Sequence, residues 1–288
     1  MFTPSRITAD LIRAHRAIGI AKRPRGRLPR QQYPKALESE YARAVTAYIV
    51  PRIKAAFAPL YAALPGLLAA ARHDWRADAG VRKAQEMIDE ARDRLRSSVR
   101  TTEIDALAQQ FARKVSTHQR IQLARQTKAA LGVDVVAHDR TVPALIENFA
   151  ANNVALIKDI GNSVAAKTEL AVSRAIADGT LHGDLAEELK TIGYGETRAA
   201  LIARDQIGKL SGQINAVRQK ELGATRFTWR TVGDERVRDA HDEIDGDEFE
   251  YNAGGHPTEG LPGEAILCRC YAEPIFDDIL DEASADDS

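Results

Sequence analysis

The stretch from Phe227 to Ala272, FTWRTVGDERVRDAHDEIDGDEFEYNAGGHPTEGLPGEAILCRCYA, limits most what this chain can fold into. It gathers one of the two tryptophans, both cysteines, two of the seven histidines and the densest run of Gly and Pro, so helical patterning has to stop here. Phe227 and Trp229 alternate with Thr228 and Arg230, the period-two signature of a half-buried strand that Gly233 ends. Asp234 then stands where a helix N-cap would. Arg236, Val237, Arg238, Ala240 and His241 follow at the spacing of a short helix that closes before Gly246. A second strand is expected around Phe249 to Tyr251. Residues Asn252 to Gly263 carry four glycines and two prolines in twelve positions, which predicts an irregular loop. A last strand is expected over Ala265 to Ala272, with Ile266, Cys268, Cys270 and Ala272 on one face and Leu267, Arg269 and Tyr271 on the other.

On that strand the thiols of Cys268 and Cys270 point the same way. Their Cα atoms lie about 6.5–7 Å apart, at the limit of what a disulfide spans without strain. The same geometry lets both thiolates approach one soft cation, and His241, with His256 or Asp245, would complete a tetrahedral zinc site. The competing reading makes the cysteines small buried hydrophobes and His241 a hydrogen-bonded core residue. Phe227 and Trp229 read as core rather than as a stacking platform.

The combination W-x4-D-x-R-V-R-x2-H-x3-D-G, a Gly/Pro-rich loop and then C-R-C resembles the C-terminal domain of phage head morphogenesis proteins, the minor head proteins of the Mu F-like family. The residues that carry the resemblance are Trp229, Asp234, Arg236, Val237, Arg238, His241, Asp245, Gly246, Phe249, Pro262, Cys268, Arg269 and Cys270. The preceding segment from Arg198 to Gly223 is similar too, with Asp205 and Gln206 where the family commonly has Thr-Glu. The likeness runs from about Phe149 to Ala272. It implies a virion protein that acts at the portal during capsid assembly and genome packaging or delivery. The implied partners are the portal protein, genomic DNA and other capsid proteins. The implied setting is the phage head, and the host cytoplasm during assembly.

The rest of the chain reads as scaffold with charged ends. Its 288 residues, 44% apolar, suffice for two modest cores. Net charge is −1, but residues 1–30 hold eight Lys or Arg against one Asp, whereas 273–288 hold seven acids and no Lys or Arg. Lys22, Arg23, Arg25, Arg27 and Arg30, interleaved with prolines, suggest a flexible basic arm over 1–34 that contacts DNA or an acidic portal surface. Residues 273–288 read as an acidic tail. No run of about eighteen apolar residues and no secretory signal are read, so a membrane partner is not expected. Two closely spaced cysteines suit a reducing compartment.

Between the ends the patterning is helical. A helical region is expected over 35–140, where Leu37, Tyr41, Val45 and Tyr48 share a face, Pro51, Pro59 and Pro65 punctuate, and Gly80 offers a break before a charged run. Arg82, Glu86, Glu90 and Arg94 should form a solvated side of that run, and a long helical hairpin is the expected shape. Gly132 and Pro143 mark the boundary to a head-morphogenesis domain over 141–272, whose stripe restarts at Phe149, Leu156, Ile160 and Val164. Ala203, Ile207, Leu210, Ile214 and Val217 alternate by four and three, a seam for a core.

The expected fold class is thus mainly α, with a long helical N-terminal region and a small C-terminal α+β domain. The resemblance implies a structural, non-enzymatic role, and no Gly-rich phosphate loop or nucleophile elbow is present to favour an enzyme. The alternative is a metal-dependent phosphodiester hydrolase or DNA-binding enzyme using His241, Cys268 and Cys270 together with Asp234 and Asp245.

Overall fold

A computed structural model of the chain describes residues 4–17, 28–73, 78–134, 140–178 and 182–284. Seven helices come first: α1 (Pro4–Ala17), α2 (Lys35–His73), α3 (Asp78–Ser98), α4 (Thr101–Leu131), α5 (Val142–Asp178), α6 (His182–Ile192) and α7 (Glu196–Glu221). Then follow β1 (Arg226–Arg230), α8 (Asp239–Glu243), β2 (Glu248–Glu250), β3 (Tyr271–Ile275) and α9 (Asp277–Ser284). This is the mainly helical chain with a small C-terminal α+β part that the residue patterning predicts. The contacts divide it into two interleaved units, one of Met1–Glu38, Gln109–Phe149 and Arg204–Ser288, the other of Ser39–Ala108 and Ala150–Ala203. Each of α2, α4, α5 and α7 contributes residues to both.

The second unit is a helical bundle. On α2, Ile53, Phe57, Leu60, Leu64 and Leu68 are all buried at spacings of four, three, four and four. Each such side chain contributes about 1.5–3 kcal/mol by leaving water. That stripe overrides the three prolines, which sit inside one unbroken helix rather than punctuating it. All three are exposed, as are Ala47 and Ala55, two of the residues whose carbonyls lose a hydrogen-bond donor, which leaves those positions open to solvent. The same helix corrects the reading of apolar runs. Residues 55–71 contain no charged side chain, and an 18-residue window of α2 reaches mean hydropathy 1.5, so by length and composition it is apolar enough to cross a membrane; 33% of that window is buried. Core helices meet the same test, and here the buried third is the stripe.

Gly80 falls inside the first turn of α3 rather than breaking the chain. Ala84, Ile88, Ala91 and Leu95 bury one face of that helix, while Arg82, Glu86, Glu90 and Arg94 belong to its charged side, where Glu90 and Arg94 pair in solvent at 2.7 Å. Leu95 lies where a side chain at Gly161 on α5 would begin: a Cβ there would meet Leu95 Cδ2 at 2.4 Å. Tyr41 donates to Asn153 at 2.8 Å and ties α2 to α5.

The first unit holds the sheet. Its order is β2-β1-β3, antiparallel throughout, with Phe227 opposite Phe249 on one side and Pro274 on the other, and Trp229 opposite Ala272. Pro274, which cannot donate to a ladder, sits on an edge strand. Phe227 and Trp229 are fully buried on one face of β1, packed with Ile12, Leu131, Ala216, Tyr251 and Phe276. The α7 stripe is buried at Ala203, Ile207, Leu210 and Ile214. A polar set on α7 is buried as well. Asn215 and Gln219 each donate to the Ala272 carbonyl at 2.9 Å, and the Arg218 guanidinium donates to the Ser116 carbonyl and hydroxyl at 2.7 and 2.8 Å.

Both chain ends depart from expectation. Residues 4–17 of the supposed flexible arm form α1, which buries Ala9 and Ile12 and packs along α9. Thr8 donates to the Leu222 carbonyl at 2.9 Å, and Arg13 to that of Glu282 at 2.8 Å. The supposed acidic tail supplies most of β3 and all of α9, with Ile279 and Ala283 fully buried one turn apart. Asp277, Asp278, Asp281 and Glu282 lie on the outer side of this amphipathic helix, a pattern that a charge count cannot separate from a solvated tail.

Candidate functional site

The site is built from three short segments that α7 holds in register. Gly208 and Gly212, one turn apart, leave the helix surface bare: a Cβ at Gly208 would lie 2.6 Å from the Cys268 carbonyl oxygen, and one at Gly212 2.3 Å from that of Pro262. The cysteine segment therefore lies directly on the helix backbone. One turn earlier, Asp205 accepts the Leu267 N–H at 3.0 Å and pairs with Lys209 at 2.8 Å. Leu267 is held at φ +60°, the one non-glycine residue in the left-handed region among those described. That conformation costs about 1–3 kcal/mol and needs surrounding contacts to persist.

This backbone corrects the expected strand over Ala265 to Ala272. A turn closes from the Cys268 N–H to the Ala265 carbonyl at 3.0 Å, Ile266 is exposed, and β3 begins only at Tyr271. Both cysteines precede the strand, so their common direction comes from the turn rather than from strand alternation. Both are free thiols and buried.

His241 lies on α8, which is shorter than expected. The helix starts at Asp239, with Arg238 in the cap position and no side-chain cap. Asp234 is engaged elsewhere. Its carboxylate accepts the Arg236 N–H at 3.1 Å and takes both arms of the Arg269 guanidinium at 2.5 and 2.6 Å, so it closes a turn and anchors Arg269. The hydrogen bond from Arg269 holds Asp234 below the usual carboxylate range. Arg238 donates to the Ile266 carbonyl. Asp245 accepts the Thr231 N–H at 2.8 Å, and the Gly246 N–H, with φ at +103°, donates to the Trp229 carbonyl at 2.9 Å. These two residues fix the β1-to-β2 connection.

At the centre, His241 is buried with its ring edge-on to Trp229, centroids 5.2 Å apart. Its Nδ1 is 3.6 Å from Cys268 Sγ and 3.5 Å from Cys270 Sγ, and the three ligand atoms lie within 4.8 Å of one another. On the other side of the ring, Nε2 meets Glu259 Oε2 at 2.8 Å. The hydrogen bond from the Cys270 thiol and backbone N–H groups outweigh burial and bring Cys268 down to about 6, whereas Cys270, as the donor, is raised. A cavity of about 190 Å³ opens beside the cluster, lined by Arg204, Arg236, Arg238 and Arg269 together with His241, Cys268 and Cys270.

Of the expected ligands, His241, Cys268 and Cys270 come together; Asp245 and His256 do not join them. Asp245 is committed to Thr231, and His256 Nδ1 accepts the N–H groups of Thr258 and Glu259 at 3.3 and 3.2 Å. Glu259, Gly208 and Gly212 are functional residues that the sequence reading does not mark, and Asp205 enters it only as a departure from the family pattern. The two glycines were legible, since a helix keeps paired glycines one turn apart only for close packing. Glu259 had no periodic signal to mark it. Lys22, Arg23, Arg25 and Arg27 lie outside the described residues, and Arg30 is exposed.

A mainly helical chain whose small antiparallel sheet encloses a His-Cys-Cys cluster is the class that this fold and site define. Residues 166–273 match the family model described as Phage Mu protein F like protein, and this part of the chain is similar to that family. An uncharacterised protein of Haemophilus influenzae is 33% identical over 189 residues, covering 64% of this chain and 42% of the relative. The chain thus spans less than half the length of that curated relative. No solved structure matches it.

Proposed function

We propose that the chain is a phage minor head protein that acts at the portal during head morphogenesis, in genome packaging or delivery. The observation that carries this reading is the family match over 166–273, which spans the C-terminal part of α5, α6, α7, the sheet and the cysteine segment. Its partners on this reading are the portal protein, other capsid proteins and packaged DNA, and its place is the virion, after assembly in the host cytoplasm. The run from Lys22 to Arg30 supplies charge suited to phosphates or an acidic portal surface. The role needs no catalysis.

Co-expression with a phage portal protein tests the proposal. Co-purification of the two, with the chain found by mass spectrometry in purified heads, is the expected result. A chain absent from heads and unable to bind portal overturns it. One observation favours a second reading, a metal-dependent phosphodiester hydrolase: the cavity beside His241 is lined by four arginines. Plasmid cleavage that requires a divalent metal and is lost in His241→Ala would replace the structural role with that activity.

A further inference from the structure

We propose that Cys268, Cys270 and His241 form a zinc site with three protein ligands, whose fourth position opens onto the arginine-lined cavity. A tetrahedral zinc with Zn–S of about 2.3 Å and Zn–N of about 2.05 Å separates each sulfur from the nitrogen by about 3.5–3.6 Å. The two separations are 3.6 and 3.5 Å. Hydrogen bonding alone accounts for this arrangement poorly. Nδ1 of a neutral imidazole has one lone pair, which accepts one thiol well, yet two sulfurs stand at nearly equal distance from it.

The surroundings match the chemistry of a soft-metal site. Glu259 accepts from Nε2–H, which fixes the tautomer that leaves the Nδ1 lone pair facing the sulfurs, the carboxylate–histidine pairing of metal centres. Two thiolates and one imidazole select a soft or borderline cation over magnesium or calcium. Asp245 and His256 are held elsewhere by hydrogen bonds, and no other His, Cys, Asp or Glu joins the cluster among the described residues. The fourth ligand therefore comes from the cavity side, as water or a small anion that the arginines attract. Binding displaces the thiol protons to solvent.

The test uses the full chain, purified without a metal-binding tag and reconstituted with zinc or cobalt. About one equivalent of zinc per chain is expected, and the cobalt form should show thiolate-to-metal charge transfer with the strong visible bands of tetrahedral coordination. Azide should shift those bands; an unchanged spectrum overturns the open position. Cys268→Ser and Cys270→Ser should lose the charge transfer, whereas Glu259→Gln should keep it and bind zinc about 10–100-fold more weakly. Less than about 0.2 equivalents after reconstitution overturns the site. Should the cysteine variants fail to fold, alkylation of the wild-type thiols decides: zinc must slow it, and equal rates with and without zinc overturn the proposal.

Discussion

Glu259 accepts a hydrogen bond from Nε2 of His241 at 2.8 Å, joining a glycine-rich loop to a five-residue helix eighteen positions earlier. The hydrogen bond from His241 holds the Glu259 carboxylate below its ordinary range. Because the other ring nitrogen faces two sulfurs, this contact sets the direction in which the imidazole can bind anything. It also closes the Gly/Pro loop over the sheet, where Phe249 meets the His256 ring edge-on at 5.4 Å.

Asp234→Asn should cost about 0.5–1 kcal/mol near neutral pH, since the pair with Arg269 is bidentate but the aspartate side chain is 44% exposed. The carboxyl is depressed in the folded protein, so its stabilising contribution is present above the ordinary aspartate value, about 4, and is lost as pH falls through the lower folded value. Urea titrations from pH 7 down to pH 3 should converge for wild type and variant at the acid end. A gap that stays constant over that range would exclude the ion pair as its source.

Gly208→Ala should destabilise by about 1–3 kcal/mol, because its Cβ would meet a backbone carbonyl of the cysteine segment that cannot swing aside. Gly66→Ala provides the control. Nothing lies within 4 Å of a Cβ there, and the exchange in a helix should stabilise by about 0.5–1 kcal/mol. Opposite signs in denaturant midpoints are the expected outcome.

Leu267→Val should cost about 1–2 kcal/mol, since a β-branched side chain fits φ of +60° worse than leucine does. Leu267→Gly should be close to neutral, relief of strain offsetting the greater freedom of the unfolded chain. Thermal melts of both variants check the order; a valine variant as stable as the glycine variant would refute the strain.

Ile279→Ala should lower stability by about 2–4 kcal/mol, as expected for a fully buried isoleucine. Deleting residues 1–17 should also destabilise, because Ala9 and Ile12 leave the same core. A tail and an arm that were merely solvated would show no change in either experiment.

Sequence patterning by itself determined the elements whose period is local. The alternation of Phe227 and Trp229 fixed a strand and its buried face, and the four-three spacing from Ala203 to Ile214 fixed a buried helix side. The motif residues carried the resemblance to the family, and the spacing of Cys268 and Cys270 marked them as candidate ligands with His241. Tertiary structure alone decided the rest. Whether Pro51, Pro59 and Pro65 break a helix depended on the stripe that α2 buries, which outweighs three lost hydrogen bonds. Whether the charged termini were tails depended on Ile12 and Ile279 finding a shared core. As far as spacing shows, Asp245 or His256 could have joined His241 and the two cysteines as a ligand, but the fold holds both elsewhere. Glu259 became the partner of Nε2 on the opposite side of the ring; a loop of glycines has no periodicity, so where its one carboxylate lands is set by the packing of the turns around it and not by any local preference.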